Sequence, residues 1–202
     1  GPIKMTKGGL PPMDGKWRDN ENACQYFWVP LLDEDEGGKE LREKVLDPLD
    51  EYNDKKINKE KNRDFIMKDG KAMAKLKYSN FVKKCTPMTD DAQDDEGDDD
   101  PTGTYKRIKV RLATEYEADA DPSKERKIKT RVYLKDSNGT PKENHEPVEN
   151  MAQLRKLFTW NCTAQFAIEF NKFWVMKNVK DNARDCGLGA KCLQIYIIER
   201  PA

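Results

Sequence analysis

The sequence predicts a mainly β fold, a β-barrel with helices, and three observations carry that prediction. Residues 104–114 alternate strictly, with Ile108, Val110 and Leu112 on one face and Tyr105, Arg107, Lys109 and Arg111 on the other. Residues 126–134 repeat the pattern, Ile128, Thr130, Val132 and Leu134 standing opposite Lys127, Lys129, Arg131 and Tyr133. Two longer β-rich runs, 163–177 and 189–199, flank the polar loop NVKDNARDCG.

The other elements follow in chain order. Residues 1–22, rich in Gly, Pro, Asp and Asn, read as an extended arm anchored by Trp17. Residues 25–29 read as a strand ending at Pro30. Leu41, Val45, Leu49 and Tyr52 recur at helical spacing, and Asp47-Pro48 suits a helix restart because Asp caps and Pro fits a first turn. After an Asp69-Gly70 turn, residues 72–85 read as a strand with Lys75, Lys77, Lys83 and Lys84 toward water. Asp136-Ser137-Asn138-Gly139 is a hairpin signal leading into a short strand near 140–147. Asn150 then opens a helix whose buried stripe is Met151, Leu154, Leu157 and Phe158.

Three strands, a helix and two strands is the element order of an OB-fold, a five-stranded Greek-key barrel. The expected organisation is an arm at 1–22, a strand-helix-strand elaboration packed on the barrel at 23–89, an acidic loop at 90–103, and an OB-fold-like barrel at 104–202.

Charged residues make up 37% of the chain and apolar ones 36%, so a modest core with a densely charged surface is expected. No run approaches the roughly 18 apolar residues of a membrane span, and no membrane partner is expected. The five cysteines are odd in number and without a C-x-x-C pair, which points to a reduced intracellular protein and away from zinc. The formal net charge of zero conceals a segregation. Residues 90–100 hold eight acids and no base, whereas residues 104–202 hold 19 Lys and Arg against 13 Asp and Glu. The acidic run does not fit a calcium loop: with Gly97 at the invariant glycine, Ala92 and Gly103 fall on ligand positions. It is expected to act either as a weak internal competitor for the basic body or as a solubilising loop that stays clear of it.

Function is carried by the polar faces of the two alternating strands. Arg107, Lys109, Arg111, Lys127, Lys129 and Arg131 include no acid, and Tyr105 and Tyr133 stand in the same sets. If the strands pair, they form one basic platform with rings, suited to a single nucleic-acid strand whose phosphates need charge and whose unstacked bases need π-faces. Farther along, Phe166, Ile168 and Phe170 are expected in the core. Asn171-Lys172 must break the alternation with a bulge or leave one ring of Phe173-Trp174 outside, and Trp174 is the ring expected there. Trp28 and Trp160 are expected to be core. Lys172, Phe173, Trp174, Lys177, Lys180 and Arg184 complete the expected binding set. No phosphate loop, metal site or nucleophile arrangement is present in pattern, so no enzyme activity and no cofactor are expected.

The helix followed by FNKFWVMKN and GLGAKCLQIYI, preceded by KIKTRVYL, resembles the single-stranded-DNA-binding proteins of nucleocytoplasmic large DNA viruses, the group that includes African swine fever virus. The resemblance covers about residues 104–199, with Asn171, Lys172, Phe173, Trp174, Gly187 and Gly189 as the matched positions. It implies an OB-fold that coats single-stranded DNA in viral replication or repair. It also implies replication proteins as partners and an intracellular location, in host cytoplasm or nucleus or in the virion. The competing expectation is a non-enzymatic virion or replisome interaction module that offers the same basic face to an acidic partner.

Overall fold

The structure, a computed structural model, describes residues 1–11, 20–57, 59, 75–85, 104–116, 118–119, 121–135, 140, 142–178, 180 and 183–201. Trp17, the Asp69-Gly70 turn, the acidic run and the hairpin tip at 136–139 lie outside the described residues.

Among the described residues, eight strands form one mixed sheet around β8 (Ala183–Glu199), which follows β7 (Thr163–Val175) and pairs with it antiparallel. The opposite edge of β8 receives three strands in succession, all parallel to it. They are β3 (Lys75–Tyr78), β5 (Tyr105–Leu112) and β6 (Arg131–Leu134). One strand can serve three partners because seventeen extended residues span about 55 Å. On its far side β5 pairs antiparallel with β2 (Tyr26–Leu31), and β4 (Lys83–Cys85) also pairs with β5. The short β1 (Ile3–Lys4) pairs with β7.

The closed barrel is therefore replaced by an open path, β1-β7-β8-β5-β2. The N-terminal arm links its ends, since β1 lies on β7 and Gly9 bridges to Trp28 of β2. Among the described residues the two basic runs bridge only at Thr114 and Ile128, antiparallel, and β5 and β6 are not ladder partners. They sit end to end along β8, with Arg111 beside Lys191 and Arg131 beside Gln194. Residues 127–130 instead pack on the end of β5, where Thr130 accepts a hydrogen bond from the Ala113 amide at 2.8 Å and donates to the Cys192 carbonyl at 2.8 Å. Of the third strand expected near 140–147, the described residues show a bridge between Val132 and Glu146 and a hydrogen bond from the Lys142 amide to the Leu134 carbonyl at 2.9 Å.

The main core lies on one side of this sheet, with Phe27, Val29, Ile108, Val110, Val132 and Ile195 buried against α3 (Met151–Leu157). The helix forms as expected: Asn150 caps it by accepting from the Gln153 amide, and Met151, Leu154 and Phe158 are buried. Phe158 and Phe27 meet edge to face at 5.4 Å between ring centres.

The N-terminal helical segment departs from its expected stripe. It consists of α1 (Glu36–Leu41), a π turn at Arg42–Leu46 and α2 (Asp47–Ile57). Val45 and Tyr52 are exposed, and beyond Gly37 and Gly38 of α1 the buried positions are Arg42, Leu46, Asp50 and Ile57. The wider π turn shifts the phase of the apolar pattern, and two of the inward positions are ionic. Arg42 reaches Asp33 at 2.5 Å and Glu43 at 2.9 Å. Asp50 accepts hydrogen bonds from the Tyr78 hydroxyl (2.8 Å), the Phe81 amide (2.8 Å) and the Val82 amide (3.1 Å). One carboxylate thus fixes the turn between β3 and β4.

Candidate functional site

Three walls rise on the face of the sheet opposite the main core. The first is the β2–β5 ladder, whose register sets Tyr26 opposite Arg111, Trp28 opposite Lys109 and Pro30 opposite Arg107. Because side chains alternate, the cations of β5 and the rings of β2 share one face. The Arg107 guanidinium lies 3.9 Å from the centre of the Trp28 ring, and the Lys109 ammonium 3.7 Å from that of Tyr26. These cation–π contacts hold the cations over flat surfaces. Burial, reinforced by the Arg111 charge, holds the Lys109 pKa below the ordinary lysine value.

The second wall comes from β7 and β8. Register shifts between Phe170 and Lys172, so Asn171 forms the expected bulge, and Lys172 and Trp174 stand beside Gly189 and Gly187. Those glycines clear the surface of β8. A Cβ at Gly187 would sit 2.7 Å from Cζ2 of Trp174, and one at Gly189 2.9 Å from Cγ of Lys172. Both side chains therefore lie flat across the strand, and the Trp174 indole donates to the Leu188 carbonyl at 3.1 Å. Lys191 continues the row next to Arg111.

The third wall is the β3–β4 turn held by Asp50, which contributes Asn80, Phe81 and Lys83. Between the walls is a groove of about 630 Å³. Its lining includes Lys83, Lys109, Arg111, Arg126, Lys172 and Lys191, the rings of Trp28, Phe81 and Trp174, and no carboxylate among the described residues. Six cations in a partly enclosed cleft concentrate positive potential, since low-dielectric walls focus the field. Chemically, such a groove can neutralise several anionic groups in a row while flat rings rest on its tryptophans. The nearest opposing charge in register is Glu169, exposed on β7 across from Lys191.

The sequence-predicted residues divide between this groove and other places. Lys109, Arg111, Lys172 and Trp174 line it. Tyr105 and Arg107 line an adjoining recess. Lys127 is engaged by Glu149 at 2.6 Å and Lys129 by Glu115 at 2.9 Å, so the second half of the expected platform is paired with acids. Arg131 is exposed on β6, and Tyr133 stacks on Tyr196 with ring centres 4.9 Å apart. Phe173 packs against a small second core of Ile57, Leu76, Tyr78 and Cys186. Lys177 and Lys180 are exposed beyond the end of β7, and Arg184 is half-buried on β8 beside Leu76. Three core expectations are also corrected, the first being Trp28, which is half-buried and lines both the groove and the recess. Phe170 is 40% exposed and touches Phe81 edge to face, and Trp160 is 66% exposed.

Trp28, Phe81, Lys83, Arg126 and Lys191 are groove residues the sequence reading missed. For two of them a signal exists. In QYFWVPL, Tyr26 and Trp28 alternate with Phe27, Val29 and Leu31, and in GLGAK the residues Gly187, Gly189 and Lys191 share one face.

No protein-family model, curated protein or solved structure matches this chain. Among the described residues, no helix is long and apolar enough to cross a membrane. Cys162, Cys186 and Cys192 are buried, and burial pushes their thiols up to about 11, about 11 and about 12, leaving them un-ionised at neutral pH.

Proposed function

We propose that the protein is a non-catalytic, sequence-nonspecific binder of single-stranded nucleic acid, with single-stranded DNA as the principal ligand. The observation that carries this reading is the groove itself, with six cations, Trp28 and Trp174, and no carboxylate among its described lining residues. Phosphates answer the cations through counterion release, and bases answer the rings through stacking, which contributes about 1–3 kcal/mol per base. A duplex keeps its π-faces stacked inside and offers the tryptophans nothing comparable. No hydrogen-bond pattern specific to one base is required, and neither is a cofactor.

The resemblance to viral single-stranded-DNA-binding proteins supports the same reading, because Lys172, Trp174, Gly187 and Gly189 are the positions that build the second wall. On this proposal the protein coats or organises single strands in viral DNA replication or repair. Kinship with the OB-fold belongs to the proposal too, supported by a helix between β6 and the long β7–β8 hairpin.

Anisotropy titration of labelled oligothymidine at two salt concentrations tests it, with duplex and polyglutamate as competitors. Tight, salt-sensitive single-strand binding that resists both competitors is expected. Absence of binding at low salt overturns the reading, and equal competition by unlabelled single strand, duplex and polyglutamate favours an acidic protein partner instead.

A further inference from the structure

We infer that the nucleic-acid path does not end at the groove but crosses Trp28 into a second subsite in which Trp160 is the stacking platform. This inference rests on the single-strand reading above and extends it. Next to the groove lies a recess of about 360 Å³, lined by Lys7, Tyr105, Arg107 and Trp160 together with the backbone of the N-terminal arm. Trp28 lines both cavities, so the two are neighbours on one surface. The recess, like the groove, has no carboxylate among its described lining residues.

The exposure of Trp160 is built into the fold. The turn after α3 is tied to the arm by two backbone hydrogen bonds, the Asn161 amide to the Met5 carbonyl (3.0 Å) and the Met5 amide to the Cys162 carbonyl (2.8 Å). Asn161 closes that turn with φ at 61°, a left-handed conformation that Asn tolerates better than most residues. Trp160 projects outward beside it, 66% exposed, and its indole donates to the Thr6 carbonyl at 3.0 Å. A ring held by its one polar atom and left open over a face has lost its orientational freedom before any ligand arrives, so stacking on it carries a smaller entropic cost.

Cations stand where a strand leaving the groove would place its phosphates. Arg107 lies over Trp28 at the boundary of the two cavities, and Lys7 lies 5.6 Å from the centre of the Tyr105 ring. Gly8 makes this wall possible, because a Cβ there would overlap the Trp28 carbonyl oxygen. The arm therefore runs against β2 and brings Lys7 to the recess.

The test is length dependence. Single-strand binding proteins of this size contact about 4–16 nucleotides per module, so oligothymidines of about 5 and about 16 residues separate one subsite from two. Trp160→Ala is expected to weaken the long oligomer about tenfold, in line with the loss of one stacked base, and to leave the short one within about twofold. Trp160→Phe should retain most of the long-oligomer affinity, and Trp28→Ala should weaken both lengths. Circular dichroism of each variant checks that the fold survives. Equal effects of Trp160→Ala on both lengths, or none on the long one, overturn the second subsite while leaving the groove intact. Failure of the unmodified protein to bind either length overturns the single-strand reading and the subsite together.

Discussion

Trp174 and Gly187 are ladder partners whose contact leaves no room for a side chain at position 187, since a methyl there would stand 2.7 Å from Cζ2 of the indole. Gly187→Ala must therefore displace either the ring or the strand. The expected cost is about 1–3 kcal/mol of stability, as for other overpacked sites. In a Trp174→Ala background the same substitution should cost less, and urea unfolding of the four proteins of this cycle measures the difference. Gly187→Ala should also weaken single-strand binding by displacing one groove ring.

Charge substitutions should separate the groove from the paired lysines. Replacing Arg111, Lys172 and Lys191 by Ala should lower the slope of log affinity against log salt by up to about 2, at about 0.7 per phosphate contact on a single strand. Lys127→Ala with Lys129→Ala should change it little, because Glu149 and Glu115 already engage those side chains. Glu169→Gln should tighten binding, with a gain that shrinks as salt rises.

Lys109 predicts the direction of a pH effect. Its pKa in the free protein is lowered by burial and by Arg111, so it loses its proton at a lower pH than an ordinary lysine. A bound phosphate favours the charged form and raises that pKa, so binding takes up a proton in the interval between the two values. Affinity should fall as pH rises through the lowered pKa. Lys109→Arg should flatten the profile. Titrations from about pH 7 to pH 10 compare the two proteins.

Asp50 predicts a local change in stability. Asp50→Ala leaves the Phe81 and Val82 amides and the Tyr78 hydroxyl without their acceptor, at an expected cost of about 3 kcal/mol. Hydrogen exchange should accelerate first at Phe81 and Val82, whereas the amides shared by β7 and β8 stay protected. Tyr78→Phe removes one of the three donors and should cost about 1 kcal/mol.

Where one face of an element is apolar and the other polar, the sequence was legible. Ile108, Val110 and Leu112 against Arg107, Lys109 and Arg111 gave β5, and Asn150 with its apolar stripe gave α3. At Asn171 the sequence offered two readings, a bulge or one ring of Phe173-Trp174 left outside, and the register shift between Phe170 and Lys172 shows the bulge. Partner choice between strands was not readable. Nothing in residues 126–134 says that they follow β5 along β8 instead of lying beside it, since either arrangement buries Val132 and Leu134. Arg42 and Asp50 were hidden for a different reason: a buried charge satisfied by tertiary hydrogen bonds looks like a surface charge in one dimension. The acid partners of Lys127 and Lys129 come from other segments, which strand-by-strand patterning does not see.

The position of β8 in the sheet also sets an order of events during synthesis. Each strand that β8 joins, β3, β5, β6 and β7, is translated before it, and β8 borders all four. Until residues 183–199 leave the ribosome, those earlier strands carry open edges and no common neighbour. Such delayed, long-range pairing slows folding and exposes nascent chains to aggregation. Ribosome-bound chains halted before residue 183 should accordingly be protease-sensitive and dependent on holding chaperones, and the released chain of 202 residues should resist digestion.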